Sequence, residues 1–288
     1  MRKTTLQAIC ALLLPIALLP SCVKNRLYDT AHPDQGKIQV TADWSHRGQG
    51  IAVPEEWCLS IGGYSGKESG LVHTPDTLFN PGTYLMTACN LPERVSISGT
   101  NATLESLSDS TGVYVASLPG WLFTNAQNVS IEADKEHALT APMQQQIRQL
   151  SLIIGAEDGL ADKIGSISGK LSGVARSLEF NTQEHKEASN ARMEFHQLSS
   201  GPNTGKWMVT VRLLGITGGE QNLSATITYK DPGRQRLSLE SCLSAALKDF
   251  NLDKTQPLFL EGSLKESGFS ATIDDWTPAQ GWEDIEVQ

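Results

Sequence analysis

The most chemically specific stretch of the chain is Leu19-Pro20-Ser21-Cys22. A leucine three residues before a cysteine, with a small residue directly before it, resembles the bacterial lipobox, where a signal peptidase cuts beside a lipidated thiol. Pro20 is the less usual element. The segment before it fits such processing: Arg2 and Lys3, then an apolar run from Leu6 to Leu19 broken by Pro15, the layout of an export signal. A membrane-spanning helix needs about 20 apolar residues, and this core is shorter. Residues 1–21 are therefore predicted to be a removed signal peptide, and Cys22 the first mature residue, carrying acyl chains on its sulfur and amine. Each buried methylene of such a chain contributes about 0.8 kcal/mol, so several chains together hold a protein at a membrane without any spanning segment.

Other groups capable of chemistry do not assemble into a pattern. In "GGYSGKES" (62–69), Gly62 and Gly66 enclose three residues and Glu68 follows Lys67; a phosphate-binding loop needs four, and a Ser or Thr after the lysine. A hairpin turn accounts for it better. "GSISG" (165–169) puts Ile167 where a serine nucleophile would stand. The six histidines, His32, His46, His73, His137, His185 and His196, occur singly, without the i, i+4 pairing of a helical metal site. Of five cysteines, Cys10 leaves with the signal and Cys22 is lipidated, leaving Cys58, Cys89 and Cys242. These allow at most one disulfide, are not spaced as a zinc site, and are read as free thiols. Adjacent carboxylates (Glu55-Glu56, Asp274-Asp275, Glu283-Asp284) decide nothing, since paired catalytic acids are usually distant in sequence. No catalytic, cofactor-binding or metal-ligating residue is assigned, and the chain is expected not to be an enzyme.

Charge excludes another class. Loss of Arg2 and Lys3 with the signal takes the formal charge from −9 to −11, and an acidic chain without clustered Lys or Arg is a poor nucleic-acid binder.

The elements that carry these residues are mostly strands. "KIQVTADW" places Ile38, Val40, Ala42 and Trp44 on one face, "WCLSIG" does the same with Trp57, Leu59 and Ile61, and "YLMTACN", "RVSIS", "VYVASL" and "NVSIEA" follow at short intervals. Period-two alternation between Gly, Pro and Asn turns predicts antiparallel sandwiches or barrels. A second set opens at "QQIRQLSLIIGAE" (145–157). The polar connector "KEHALTAPMQ" (135–144), with Pro142, marks the division. The expected organisation is a lipidated linker over 22–36, an N-terminal β-sandwich over 37–140 and a C-terminal β-sandwich over 145–288. One helix is expected at about 239–250, where Leu239, Cys242, Leu243, Ala246, Leu247 and Phe250 recur at three- and four-residue steps.

"SCVKNRLYDTAHPDQGKIQVTADWS" resembles the opening of the FimB-type fimbrial subunit lipoproteins of Bacteroidales. The matching positions are Cys22, Lys24, Leu27, Tyr28, His32, Pro33, Asp34, Asp43 and Trp44. "APMQQQIRQLSLIIG", the LSGVA core of "IGSISGKLSGVARSL" (Leu171 to Ala175) and the closing "ATIDDW" are similar in the same order. The resemblance implies two tandem transthyretin-like sandwiches in an outer-membrane lipoprotein. It would act as a fimbrial anchor or accessory subunit whose partners are fimbrial subunits, joined by strand complementation. Asp29-Thr30-Ala31, Asp76-Thr77-Leu78 and Asp109-Ser110-Thr111 resemble the periplasmic O-glycosylation acceptor of the same bacteria, which makes Thr30, Thr77 and Ser110 candidate sites. The alternative is a surface glycan-binding lipoprotein, which would require exposed stacking platforms among Trp57, Trp121, Trp207, Trp276 and Trp282, although aromatics are only 6% of the chain.

Overall fold

The computed structural model describes residues 34–156, 159–201, 203–267, 270–273 and 275–279, so Cys22 and the segment around it lie outside the described residues. Nearly all regular structure is strand.

The first body is a two-layer sandwich. One layer orders Glu136–Pro142, Lys37–Asp43 and Val72–His73; the other orders Gln144–Gln145, Phe123–Ile131, Gly82–Cys89, Glu56–Ile61 and Tyr64–Ser69. Ile38, Val40, Ala42 and Trp44 from one layer and Trp57, Leu59 and Ile61 from the other are all buried, as their alternation predicts. Trp44 meets Phe123 edge-on, with ring centroids 5.6 Å apart. Gly62 and Gly63 make the turn between Ile61 and Tyr64, so the glycine-rich stretch is a hairpin. The connector expected at 135–144 is in fact largely the strand Glu136–Pro142, running parallel to Lys37–Asp43 in unbroken register.

The second body is a closed ring of eight strands. Its order is Ile164–Glu179, Asn222–Tyr229, Leu237–Cys242, Ser270–Thr272, Leu258–Ser267, Arg148–Ala156, Trp207–Leu213 and Glu184–Gln197. The last pairs back to the first. Closure removes the unpaired backbone edge that an open sheet presents. Alternate residues Ile167, Leu171, Val174 and Leu178 point into a core shared with Leu150, Leu152, Val209, Val211 and Leu239.

The closed ring replaces the C-terminal sandwich expected over 145–288, because Glu184–Gln197 pairs back to Ile164–Glu179, and two further features depart from the expected layout. The hairpin Val95–Ser98 and Asn101–Leu104, expected in the first sandwich, attaches through Asn101–Leu104 to the far end of Ile164–Glu179. The hairpin Ser106–Asp109 and Gly112–Val115 attaches to Glu184–Gln197. Ala102, Leu104 and Val115 accordingly belong to the second core. The expected helix shrinks to one turn, Ser244–Leu247, because Leu237–Cys242 is a ring strand. Leu237, Leu239 and Ser241 are buried while Cys242 is exposed, and partners on both sides outweigh a local preference for helix. Only Leu243, Leu247 and Phe250 keep the helical spacing on a buried face.

Gly173, in the middle of the LSGVA stretch, explains how the ring bends. It sits at a bulge between Ser172 and Val174 with φ of 71°, a backbone region that L side chains rarely adopt. A Cβ there would stand 2.4 Å from the Glu220 carbonyl oxygen. Beyond the bulge the strand changes partner, Ala175 N–H donating to Gly215 O at 2.9 Å and Thr217 N–H to Gly173 O at 2.9 Å.

The chain crosses from the first body to the second over Gln145–Arg148, and this crossing is polar and buried. Gln145 Nε2 donates to the carbonyls of Ile147 (2.8 Å) and Lys254 (2.5 Å), and its Oε1 accepts the Gly48 N–H at 2.8 Å. Gln146 Nε2 donates to Thr124 Oγ1, and its Oε1 accepts from Lys254 Nζ, both at 2.9 Å. Arg148 donates to the Gln256 and Phe250 carbonyls at 2.7 and 2.9 Å and lies over the Phe250 ring. Lys254 is only 8% exposed; Gln146 and His185 Nε2, at 3.3 Å, are its partners here. Burial holds the Lys254 ammonium down to about 8. Burial, together with the neighbouring Lys254 charge, holds His185 down to about 4. Trp121 makes a second link by packing against both cores.

These geometries give two expected outcomes. Gly173→Ala should cost at least about 2 kcal/mol in a denaturant titration, from the left-handed backbone and the carbonyl clash together. In the second, the folded Lys254 pKa lies below the unfolded value, so the unfolded state binds the proton more readily and stability rises with pH between about 8 and 10.5, by up to about 3 kcal/mol. His185 follows the same rule lower down, losing stability as pH falls from about 6.5 towards 4. Unfolding curves of Lys254→Met across this range should lose the alkaline rise and show a smaller acid loss.

Candidate functional site

The candidate lipidation, glycosylation and stacking residues can now be placed, except Cys22, Thr30 and Trp282, which lie outside the described residues. Thr77 is exposed beside a groove of about 510 Å³ whose walls include Tyr64, Phe79, Asn80 and Tyr84. Ser110 is exposed at the tip of a two-residue hairpin turn between Asp109 and Gly112. Asp109 Oδ1 accepts from the Thr111 N–H at 2.7 Å and from its hydroxyl at 2.6 Å, so turn geometry accounts for this Asp-Ser-Thr spelling.

Among the described residues the tryptophans do not form a stacking surface. Trp44, Trp57 and Trp207 are buried. Trp121 is half-buried under the Arg212 guanidinium, 5.0 Å from the ring centroid. Trp276 packs on the second core and donates from Nε1 to Ser241 Oγ at 2.8 Å. No described tryptophan is left exposed to take a sugar ring. Among the described residues no group of three or more His, Cys, Asp or Glu side chains is placed to hold a metal ion.

What the fold does present is sheet edges, and they are treated unequally. The two layers of the first sandwich are bridged by polar side chains at both ends. At one end Gln127 Nε2 donates to the Thr140 carbonyl at 2.7 Å, Asn125 Nδ2 to the Pro142 carbonyl at 3.3 Å, and the Glu132 N–H donates to His137 Nε2 at 3.0 Å. Two carbonyls of the outermost strand, those of Thr140 and Pro142, are thus taken by amide side chains of the facing layer.

The other end carries a buried carboxylate. Glu68, 6% exposed, accepts from Tyr64 Oη at 2.6 Å through Oε1 and contacts His73 Nδ1 at 2.6 Å through Oε2, while His73 Nε2 lies 2.9 Å from the Tyr64 oxygen. Burial, with the bond to Glu68, pushes the Tyr64 phenol up to about 12, so it keeps its proton at neutral pH. His73 comes from the facing layer, and the cluster ties Tyr64–Ser69 to Val72–His73.

The strand Ser106–Asp109 is different. It is one of the two ends of the strand path of the second body, Val95–Ser98 being the other, and is exposed along its whole length, whereas Val95–Ser98 is half-buried at alternate residues. Pairing with Gly112–Val115 alternates, which turns the backbone groups of Ser106 and Ser108 away from the partner strand. Leu107, Val113 and Leu118 are exposed nearby. Nothing in the polar run "SLSD" signals this position, because edge status depends on which strands pair elsewhere.

Comparison with known proteins agrees with this picture. The family model for fimbrillin-A associated anchor proteins Mfa1 and Mfa2 matches residues 72–280. No curated protein matches the sequence. Among solved structures, a Bacteroides ovatus protein provisionally described as an adhesin superposes with a TM-score of 0.58 at 14% identity, over 91% of this chain and 99% of that one. A Bacteroides thetaiotaomicron protein provisionally described as polysaccharide-binding gives 0.58 at 12% identity, over 86% and 99%. The fimbrial anchor protein Mfa2 from Porphyromonas gingivalis gives 0.56 at 11% identity, over 86% and 98%. At these identities the structures show a shared fold, and the family match shows kinship: the chain belongs to the family of fimbrillin-A associated anchor proteins Mfa1 and Mfa2, whose members are anchor proteins and not enzymes.

Proposed function

We propose that the protein is an outer-membrane lipoprotein that holds a fimbrium at its base or joins it as an accessory subunit. Lipid on Cys22 supplies the attachment, and fimbrial subunits are the partners. The observation that carries the reading is the family match over residues 72–280. The absence of an exposed tryptophan platform among the described residues weighs against the glycan-binding alternative. Capture of a subunit would proceed by strand complementation, in which an extended segment pairs with open backbone groups and seats alternate side chains. The strand Ser106–Asp109 suits that role: the ring is closed, the sandwich edges are bridged, and this strand is short and exposed. Thr30, Thr77 and Ser110 remain proposed O-glycan acceptors, and the described two, Thr77 and Ser110, are exposed.

Deletion of the gene, with imaging of filaments on cells and in the medium, tests the role. A terminating anchor predicts long filaments shed into the medium, and unchanged, retained filaments contradict it. Cys22→Ala should move the protein from the membrane to the soluble fraction, and mass spectrometry of the wild-type N-terminal peptide should find the acyl chains. Ser108→Pro removes an outward N–H at an edge that tolerates proline; it should leave thermal stability within about 1 kcal/mol of wild type yet reduce recovery of fimbrial subunits in a pull-down.

A further inference from the structure

Two of the three cysteines in the described residues stand directly opposite one another. Cys58 lies in Glu56–Ile61 and Cys89 ends Gly82–Cys89, and the antiparallel register pairs Cys58 with Cys89. Directly opposed residues of an antiparallel pair project to the same face, with Cα atoms about 4.5–5.5 Å apart. That range falls within the separation a disulfide spans. Both thiols occupy the face of the sheet away from the first core, since Trp57, Leu59 and Ala88 between and beside them point inward. Cys242 is exposed in the other body.

The two sulfurs differ in access. Cys89 is 8% exposed, whereas Cys58 is half-open and forms part of a surface cavity of about 310 Å³ with Glu56, Lys67 and Asn90. Burial, and then the neighbouring Cys58, pushes the Cys89 thiol up to about 12. Burial also raises Cys58, and the Lys67 charge works against that rise. One sulfur can therefore meet a reagent from solvent while the other reacts only with its neighbour.

We propose that Cys58 and Cys89 are a redox-active cross-strand pair that closes to a disulfide when the protein meets a dithiol-oxidising disulfide. In the first step the Cys58 thiolate attacks one sulfur of that disulfide, forming a mixed disulfide and releasing one thiolate. In the second, Cys89 loses its proton and attacks the Cys58 sulfur, forming the Cys58–Cys89 bond and expelling the second thiolate. Two thiols of the protein are oxidised and the attacked disulfide is reduced to two thiols, which take up the two protons. Thiolate formation at Cys89 limits the second step, so closure accelerates as pH rises. The bond joins the neighbouring strands Glu56–Ile61 and Gly82–Cys89 by a staple that the hydrogen-bond ladder already holds in register, and it makes local opening of that sheet harder.

Oxidised glutathione, applied to the reduced protein, tests this. After incubation at pH 7 and pH 9, remaining thiols are alkylated under denaturing conditions, and peptides are mapped by mass spectrometry with and without reduction. The expected result is a reducible Cys58–Cys89 cross-linked peptide that appears faster at pH 9, is absent in Cys58→Ser and in Cys89→Ala, and forms unchanged in Cys242→Ser. The oxidised protein should melt about 5 °C higher than the reduced one. Recovery of both cysteines in alkylated form after prolonged exposure would overturn the proposal. So would a glutathione adduct that persists on Cys58 while Cys89 stays free, or intermolecular dimers in place of the internal bond. Because every readout is on the purified chain, failure here leaves the fimbrial role untouched, and failure of that role leaves the cysteine chemistry standing.

Discussion

The arrangement of the whole molecule depends on a short polar crossing. Between Gln145 and Arg148 the backbone leaves a sheet of the first body and enters the ring of the second. It does so through the interior, where an unpaired amide or guanidinium is costly. Gln145, Gln146 and Arg148 meet that cost by donating to carbonyls of the segment 250–256 and of Ile147, and to Thr124, while Lys254 returns a donor to Gln146. An apolar crossing could slide, because burial is non-directional. Hydrogen bonds fixed to particular carbonyls admit one relative placement of the two bodies. Lys254 holds a charge in this setting without a carboxylate against it, which is why the crossing is sensitive to protonation.

The second constraint is the management of edges. A chain built almost wholly of strands must dispose of its unpaired N–H and C=O groups or risk unselective pairing. The ring closes on itself, with Gly173 supplying the bend that lets one strand change partners. The first sandwich instead bridges its layers with side chains, amides at one end and the Tyr64, Glu68 and His73 cluster at the other. Two short terminal strands, Val95–Ser98 and Ser106–Asp109, lie outside both devices, and Ser106–Asp109 is the one exposed throughout.

The stretches that carried the family resemblance turn out to hold structural positions. The "APMQQQIRQL" segment contains the crossing glutamines and arginine. LSGVA contains the bulge. In "ATIDDW", Trp276 donates to Ser241, which itself donates to the Ile273 carbonyl at 2.6 Å. In "ADW", Asp43 accepts the Ser45 N–H at 2.9 Å and Trp44 packs on Phe123. At each of these places backbone geometry or a buried polar group leaves few substitutes.

From the sequence alone come the export and lipidation pattern, the predominance of strands and the inward faces of Lys37–Asp43 and Glu56–Ile61. Each is a local property, expressed in residue order or in a period of two. What the sequence misjudged was partnership. Residues 237–250 support both a helical and an alternating reading, and only the vacancy between Asn222–Tyr229 and its ring neighbours selects strand. Residues 95–115 lie in sequence between two strands of the first sandwich, Gly82–Cys89 and Phe123–Ile131, yet join the second body, since pairing depends on which edge is within reach. The opposition of Cys58 to Cys89, 31 positions apart, and the burial of Lys254 among distant amides likewise appear only when strands are set in register. Local pattern fixes what a segment can become, and the competition for hydrogen-bond partners and buried area across the folded chain fixes where it goes.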